Sequence, residues 1–490
     1  MMQAKQLPDA TSITLARGPV ASPRGLRRPG LLAGVTAGLL LAFAGSAFAQ
    51  SHTLQESLAT AYSNNPGLQA ARAQLRATDE NVPTALAGWR PTVTVTGSAG
   101  TGSLSTTAFS SGRYVSTDSG RAIASAQGSL TQPLYRGGRT TAGTNRAENQ
   151  VLTQRAKLIA TESQLFNDTV SAYVNVISTT QILALNINNE QVLTRQLQAT
   201  NDRFRVGEIT RTDVAQAEAA LAGATATRQT SEGNLQTARA TYQRLVGELP
   251  DRLVEPQPLK LPTRSLEEAK ALAVANNPNV IAALFQNAAD KDNFDLQYSA
   301  LMPNVTLQGI WAYSQNVSQS RQKTAGQQAT VNLTVPIYQG GSEYAAIRAA
   351  RQTAQQSFKL IDDARRTATQ QTISAWETYQ AAKSTIDSTN TQIRANQIAL
   401  EGTQREAIVG SRTTLDVLNA EQTLLNSRTT LVSNLASLVT ASYQVSGAVG
   451  RLTARDLSLP VPYYDETAYY NAVRDRWVGT GDFATDQPGR

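Results

Sequence analysis

Hydrophobic positions recur every seventh residue over two long stretches of this chain. Val151, Leu158 and Leu165 run beside Leu152, Ile159 and Phe166, and a second series carries Ile386, Ile393 and Leu400. Sustained heptads of this kind predict coiled-coil packing. The first stretch reads as one helix from Gly138 to about Phe204 and the second as one from Gly341 to about Arg405, both free of proline. About 66 residues at 1.5 Å each make a rod of roughly 100 Å, longer than a globular core. Shorter return helices carry the same spacing, as in Leu424, Leu431 and Leu438. They start near Arg211 and Arg412 and end near Gly247 and Gly450. Helices beginning at Thr53 and Ser265 stop before Pro91 and Pro303, which cannot continue them. Each short helix spans roughly half the rod, so two stacked end to end match one long helix.

Between these helices the period changes from seven to two. Val305, Leu307, Gly309, Trp311 and Tyr313 alternate with Thr306, Gln308, Ile310 and Ala312. Ala329, Val331, Leu333, Val335 and Ile337 alternate with Thr330, Asn332 and Thr334. An earlier pair repeats the pattern, with Val93 and Val95 among threonines and a return strand over Ile123 to Leu134. Strands of about ten residues with one apolar face match transmembrane β-strands, and equally a soluble hairpin on its own. Trp89, Tyr135, Trp311 and Tyr338 lie near strand ends, where a membrane protein places its aromatic belt.

The whole arrangement occurs twice. Leu130-Thr131-Gln132-Pro133-Leu134-Tyr135-Arg136-Gly137-Gly138 returns as Leu333-Thr334-Val335-Pro336-Ile337-Tyr338-Gln339-Gly340-Gly341. Asn64-Asn65-Pro66 returns as Asn276-Asn277-Pro278, and Val206-Gly207 followed by Asp213 returns as Val409-Gly410 followed by Asp416. Pro91 and Pro303 are 212 residues apart, whereas Pro133 and Pro336 are 203 apart, as are Asp213 and Asp416. Nine extra residues therefore sit in the first strand pair, where an exposed loop is expected to hold them. The chain divides into a segment 1–49, a first repeat 50–248, a proline-rich linker 249–264, a second repeat 265–451 and a tail 452–490. The tail's Tyr463, Tyr464, Tyr469, Tyr470 and Trp477 are expected to pack at mid-height, with disorder from Gly479 onward.

Composition narrows the setting. Arg24, Arg27 and Arg28 precede an apolar run from Leu31 to Phe43, and Ala47-Phe48-Ala49 supplies a small-x-small cleavage site, the pattern of an export signal. That segment carries +4 of the formal +7, leaving about +3 and removing the main support for nucleic-acid binding. With no cysteine, disulfides, thiolate catalysis and amino-terminal lipidation are excluded. After Ala49 no transmembrane helix is expected, so membrane insertion would need a β-barrel.

No catalytic constellation emerges, and no metal or cofactor is expected. His52 is the single histidine, and the Gly-Gly pairs lack the Lys-Ser/Thr of a phosphate loop. The residues that stand out lie at the two helix reversals. Gly207 and Gly410 permit the tight turns. Asp213 and Asp416 occupy first-turn positions, where helix capping is the plain explanation.

Taken together, the duplication, the Asn-Asn-Pro helices, the Pro-x-Tyr-x-Gly-Gly junctions and Val-Gly-x-x-Thr-x-x-Asp-Val at both turns resemble the TolC-like outer membrane efflux and secretion channels. The resemblance covers Gln50 to about Leu459. It implies a mainly α fold with a small β part: duplicated coiled-coil helices form a periplasmic α-barrel. Four strands per chain join a twelve-stranded transmembrane β-barrel in a homotrimer. It further implies a periplasmic adaptor and an inner-membrane transporter, either an RND pump or an ABC exporter, as partners, outer membrane lipid around the barrel, and iris-like opening of the helix tips. Asp416 matches the tunnel constriction, Asn419 stands where the archetype has a second aspartate, and Ala407 where it has a gating tyrosine. Asp213, Thr212 and Arg412 match the polar links of the closed gate. A structural coiled-coil spacer of the envelope is the other reading that the sequence leaves open.

Overall fold

The protein is described by a computed structural model over residues 51–317 and 321–481. The expected export segment and residues 482–490 lie outside the described residues. In chain order the first half comprises β1 (Ser51–His52), α1 (Leu54–Asn64), α2 (Pro66–Asp79), α3 (Asn81–Leu86), β2 (Thr92–Ser110), β3 (Arg113–Tyr135), α4 (Arg139–Arg205) and α5 (Arg211–Val246). The second comprises β4 (Arg252–Leu253), α6 (Leu266–Asn276), α7 (Pro278–Tyr298), β5 (Asn304–Gln315), β6 (Lys323–Thr334), α8 (Ser342–Ile408) and α9 (Thr414–Ala448). A short α10 (Ala468–Val473) lies in the tail.

The long helices α4 and α8 are each 67 residues, and the half-length helices stack in line beside them. Near the strands, α4 packs against α1, α2, α3 and α7; farther down it packs against α5 and α9, while α8 packs against α7 and α9. The result is a wall of helical columns in which α1 to α3 continue into α5, and α6 and α7 into α9. The splice between stacked helices is made by the Asn-Asn-Pro motif. Asn65 Oδ1 accepts from the N–H groups of Gly67 and Leu68, capping α2, while its Nδ2 donates to the Leu245 carbonyl at the end of α5. Asn277 caps α7 in the same way and donates to the Ala448 carbonyl at the end of α9. Proline at the first helical position needs no N–H partner, so the motif starts one helix and satisfies the end of another. A second break at Glu80, between α2 and α3, is marked in the sequence by Pro83, which has no N–H to give the carbonyl of Asp79 at the end of α2.

Small side chains make the seams. Thr, Ser and Asn reach across them, as in Asn186 to Ser231 (2.7 Å) and Asn396 to Ser427 (2.8 Å). By length and composition alone one helix among the described residues, α4, is long and apolar enough to cross a membrane, with a mean hydropathy of 1.2 over 18 residues, where the sequence reading expected none. Its place in the wall accounts for the apolarity, since α4 meets neighbours on several sides at once.

The largest core lies at mid-height. Leu58, Leu68, Leu75, Val151, Phe166, Val170, Tyr173 and Tyr242 form it, with Leu452, Leu459 and Tyr464 of the tail closing over it. The Tyr173 hydroxyl meets the carbonyls of His52 and Val254 at 2.8 and 2.7 Å and pins the β1–β4 pair to the wall. Burial pushes that hydroxyl up to about 12.

The four long strands form one antiparallel sheet in the order β2-β3-β5-β6. Its register puts Val93 opposite Leu130, Trp311 opposite Gly128, and Leu307 opposite Val331, so the apolar residues share one face. The other face carries hydroxyls, including the Thr94–Ser129 and Ser98–Ser125 pairs at 2.6 and 2.8 Å. The nine extra residues do not form a loop. They lengthen β2 and β3 to 19 and 23 residues, against 12 and 12 in the second pair. Ser111 and Gly112, with φ of 51° and 80°, close a two-residue turn. Both central residues at positive φ match the right-handed twist of the strands, so pairing continues to the tip instead of opening into a loop.

Candidate functional site

At the end of the wall remote from the strands, each pair of long and returning helices closes in a tight reversal. The recurring sequence Val-Gly-x-x-Thr-x-x-Asp-Val specifies it residue by residue. Gly207 and Gly410 take φ of 80° and 78°, the left-handed conformation that ends α4 and α8. Thr210 and Thr413 are the N-caps of α5 and α9, and Asp213 and Asp416 complete capping boxes with them. Thr210 N–H and Oγ1–H donate to Asp213 Oδ2 at 3.0 and 2.7 Å; Thr413 does the same to Asp416 Oδ2 at 3.0 and 2.9 Å. Each aspartate N–H returns a bond to its threonine. These bonds hold both carboxyls below the ordinary aspartate range. For Asp213 the Thr210 hydroxyl is the largest cause, and for Asp416 the Thr413 backbone N–H. Both are therefore anions at neutral pH.

The halves differ in the ion pair beside the turn. In the first, Arg203 on α4 meets Glu208 in the turn at 2.6 Å. In the second the charges are reversed: Glu406 on α8 meets Arg412 in the turn at 2.9 Å. Arg412 is thus committed to its own helix pair, and within the chain it makes no ion pair with Asp213. Thr212 is exposed, one residue before Asp213. Asn419 is exposed one helical turn beyond Asp416, on the same face of α9. Ala407 is buried in the seam with Leu400, Val417 and Leu424, where it packs α8 on α9. Val206, Ile408 and Val409 are each 78% exposed at the tips; the sequence reading used Val206 and Val409 only to mark the repeat and gave the apolar tip no role. Their position beside Gly207 and Gly410 was the available signal.

At the other end of the wall the aromatics separate into two levels. Trp89 and Tyr135 lie at the helix end of the strands, as does Tyr338 in the link from β6 to α8. Trp311 and Tyr313 lie farther along β5. From Val305 to Tyr313 is about 26 Å along the strand, close to the height of an outer-membrane barrel's apolar band. All four expected belt residues are exposed, Trp89 at 40%, Tyr135 at 47%, Trp311 at 52% and Tyr338 at 76%. Among the described residues no cluster of three or more His, Cys, Asp or Glu is placed to hold a metal.

A sheet with one apolar face, open at both edges and standing on a wall of coiled-coil helices, defines a membrane channel component. The chain belongs to the outer membrane efflux protein family, whose pattern matches residues 57–248 and 271–451, the two structural repeats. It is 35% identical to the outer membrane efflux protein BepC of Brucella suis over 435 residues, covering 88% of this chain and 92% of BepC. It is 25% identical to the outer membrane protein TolC of Vibrio cholerae, over 64% of this chain and 73% of TolC. The fold is also that of the solved structure of CusC, with a TM-score of 0.70 at 17% identity over 82% of this chain and 92% of CusC. The protein is accordingly an efflux or secretion channel component of the outer membrane, with its helical part in the periplasm. The relatives are channel proteins and not enzymes.

Proposed function

We propose that three copies of this chain close into the exit duct of a tripartite efflux pump or type I secretion system. One observation carries the reading. The sheet leaves β2 and β6 with unpaired edges, and its exposed apolar rows span about the height of a bilayer's apolar band, so that in a closed assembly they would face the lipid. Unsatisfied backbone in lipid costs several kcal/mol per group. Four strands cannot curl shut alone, whereas three copies give a closed barrel of twelve. The same symmetry sets six similar helix pairs around one axis.

A periplasmic adaptor and an inner-membrane transporter, an RND pump or an ABC exporter, would engage the helical end, and opening is an iris-like untwisting of the tips. Asp416 supplies an ionised ring at the constriction, with Asn419 beside it, since its caps keep it charged. Arg412, Thr212 and Asp213 are the polar groups at the gate. In the closed gate Arg412 would exchange Glu406 for a neighbouring helix pair, and untwisting would release it, because an exposed ion pair of this kind is weak and easily replaced.

Single-channel recording in planar bilayers tests this. Asp416→Ala is expected to raise conductance and relieve block by multivalent cations. Trimers that dissociate only on heating, together with discrete conductance steps, are expected of the wild type. A monomer without conductance would leave only a structural spacer.

A further inference from the structure

The tail climbs the wall toward the membrane. It starts over the mid-height core, where the Ala454 N–H donates to Glu162 Oε1 at 2.7 Å, and by Arg474 it has reached Glu148. On α4 these carboxylates are 14 residues apart, a rise of about 21 Å toward the strands. Three arginine–aromatic contacts mark the route. Arg72 lies over Tyr464 at 5.2 Å, Arg155 over Tyr470 at 5.2 Å, and Arg90 over Trp477 at 5.0 Å. Arg90 also donates to the Arg476 carbonyl at 2.6 Å, and it stands two residues before β2 begins.

At that level the strap ends in a shaped tip. The Arg476 side chain curls back to the carbonyls of Val478 and Gly481, across Gly479 at φ 106°. A side chain on Gly479 would come within 2.5 Å of the Arg476 guanidinium. The turn leaves Trp477 65% and Val478 84% exposed. Between the tip and α3 lies an open cleft of about 670 Å³ bordered by Pro83, Ala87 and Val473, so the two side chains overhang it and do not pack home.

The strap and the linker between α5 and α6 cover the same core face of the wall. Three straps and three linkers inside a duct would obstruct it, so this is the outer face; that step rests on the duct reading above. Its upper end is continuous with the lipid-facing rows that begin at Val93.

We propose that Trp477 and Val478 are a membrane-interface anchor, inserting into the periplasmic leaflet of the outer membrane while Arg90 and Arg476 lie at the level of the lipid phosphates. Tryptophan favours that interface because its ring is apolar and its N–H polar, and arginine stems reach along apolar surface with the charge at the headgroups. The partner is a phospholipid surface, and the contact would fix the depth of the channel in the bilayer.

The absence of cysteine makes the test direct. Val478→Cys, Val93→Cys and Ser116→Cys are each spin-labelled in the full-length protein, reconstituted in vesicles of phosphatidylethanolamine and phosphatidylglycerol. Relaxation by oxygen and by a water-soluble nickel chelate is then compared. The label at Val478 is expected to be oxygen-accessible and several-fold less accessible to chelate than that at Ser116 on the exposed ribbon. Chelate access equal to Ser116, with Val93 still shielded, overturns the anchor and leaves the barrel standing. Shielding of Val478 from both reagents means burial in protein and overturns it too. Chelate access at Val93 overturns the barrel reading and the anchor with it.

Discussion

Asn277 donates its side-chain amide to the Ala448 carbonyl, 3.0 Å away and 171 residues along the chain. The bond joins the start of one helix to the end of the helix stacked beneath it. Its counterpart in the first repeat runs from Asn65 to Leu245, also at 3.0 Å. Asn277 is 4% exposed, whereas Asn65 is half-buried. Replacing either by alanine removes a cap and strands a carbonyl. Asn277→Ala is expected to cost about 2 kcal/mol and Asn65→Ala about 1 kcal/mol, because water can serve the more open site. Thermal unfolding of the two variants checks the order, and equal losses would count against it.

Two glycines with similar backbone angles are expected to behave differently. Gly450 has φ 74°, and a side chain there would meet the Asn276 carbonyl oxygen at 2.3 Å. Gly410 has φ 78° and open space around it. Gly410→Ala is expected to cost about 1 kcal/mol from the backbone alone. Gly450→Ala is expected to cost at least about 3 kcal/mol, because the splice must also move apart. Denaturant titration of the two variants separates them.

Capping and constriction at Asp416 are separable. Thr413→Ala removes the cap but leaves the carboxylate, and is expected to cost about 1 kcal/mol and to speed amide exchange in the first turn of α9. It is expected to leave cation block in place. Asp416→Ala is expected to speed exchange and also to abolish the block. If Thr413→Ala abolished block as fully, the carboxylate would not be the blocking group.

Asp79 carries a pH dependence. It is 1% exposed, and neither carboxylate oxygen has a hydrogen-bond partner. Burial, opposed by Arg155, pushes its carboxyl from 3.8 to about 7. Below about pH 4 both folded and unfolded chains hold the proton. As pH rises toward 7 the unfolded chain releases it first, so stability falls across that window. Asp79→Asn is expected to flatten this fall and to be the more stable form above pH 7. An unchanged pH profile of unfolding would reject the assignment.

The extended β2–β3 ribbon is expected to be dispensable for assembly. Replacing residues 104–119 by the seven-residue link 316–322 gives the first hairpin the length of the second. Expression, trimer heat stability and conductance are expected to stay within the range of surface substitutions, about 0.5 kcal/mol. Loss of trimers would show that the ribbon pairs between copies.

The sequence by itself determined the repeat, the helix lengths, the strand faces and the turn chemistry. Heptads at Val151 and Leu158, alternation at Val305 and Leu307, and Thr-x-x-Asp after Val-Gly each encode a local preference that needs no distant partner. Tertiary structure decided the rest. Asn65 and Asn277 read as breaks in a helix until Leu245 and Ala448 were brought beneath them. Arg412 acquired Glu406, six residues before it, only when the reversal folded its side chain back. The tail's aromatics read as packing together at mid-height, with disorder from Gly479. In the fold only its first part does so, and Arg72, Arg155 and Arg90 line a path up the wall that carries Trp477 to the strands and orders the turn at Gly479. The extra nine residues read as a loop because serine, threonine and glycine suit loops as well as exposed strands. Only the closing of the Ser111–Gly112 turn made them a ribbon. Periodicity reports what a segment prefers on its own scale; which segments meet depends on long-range packing that no local pattern contains.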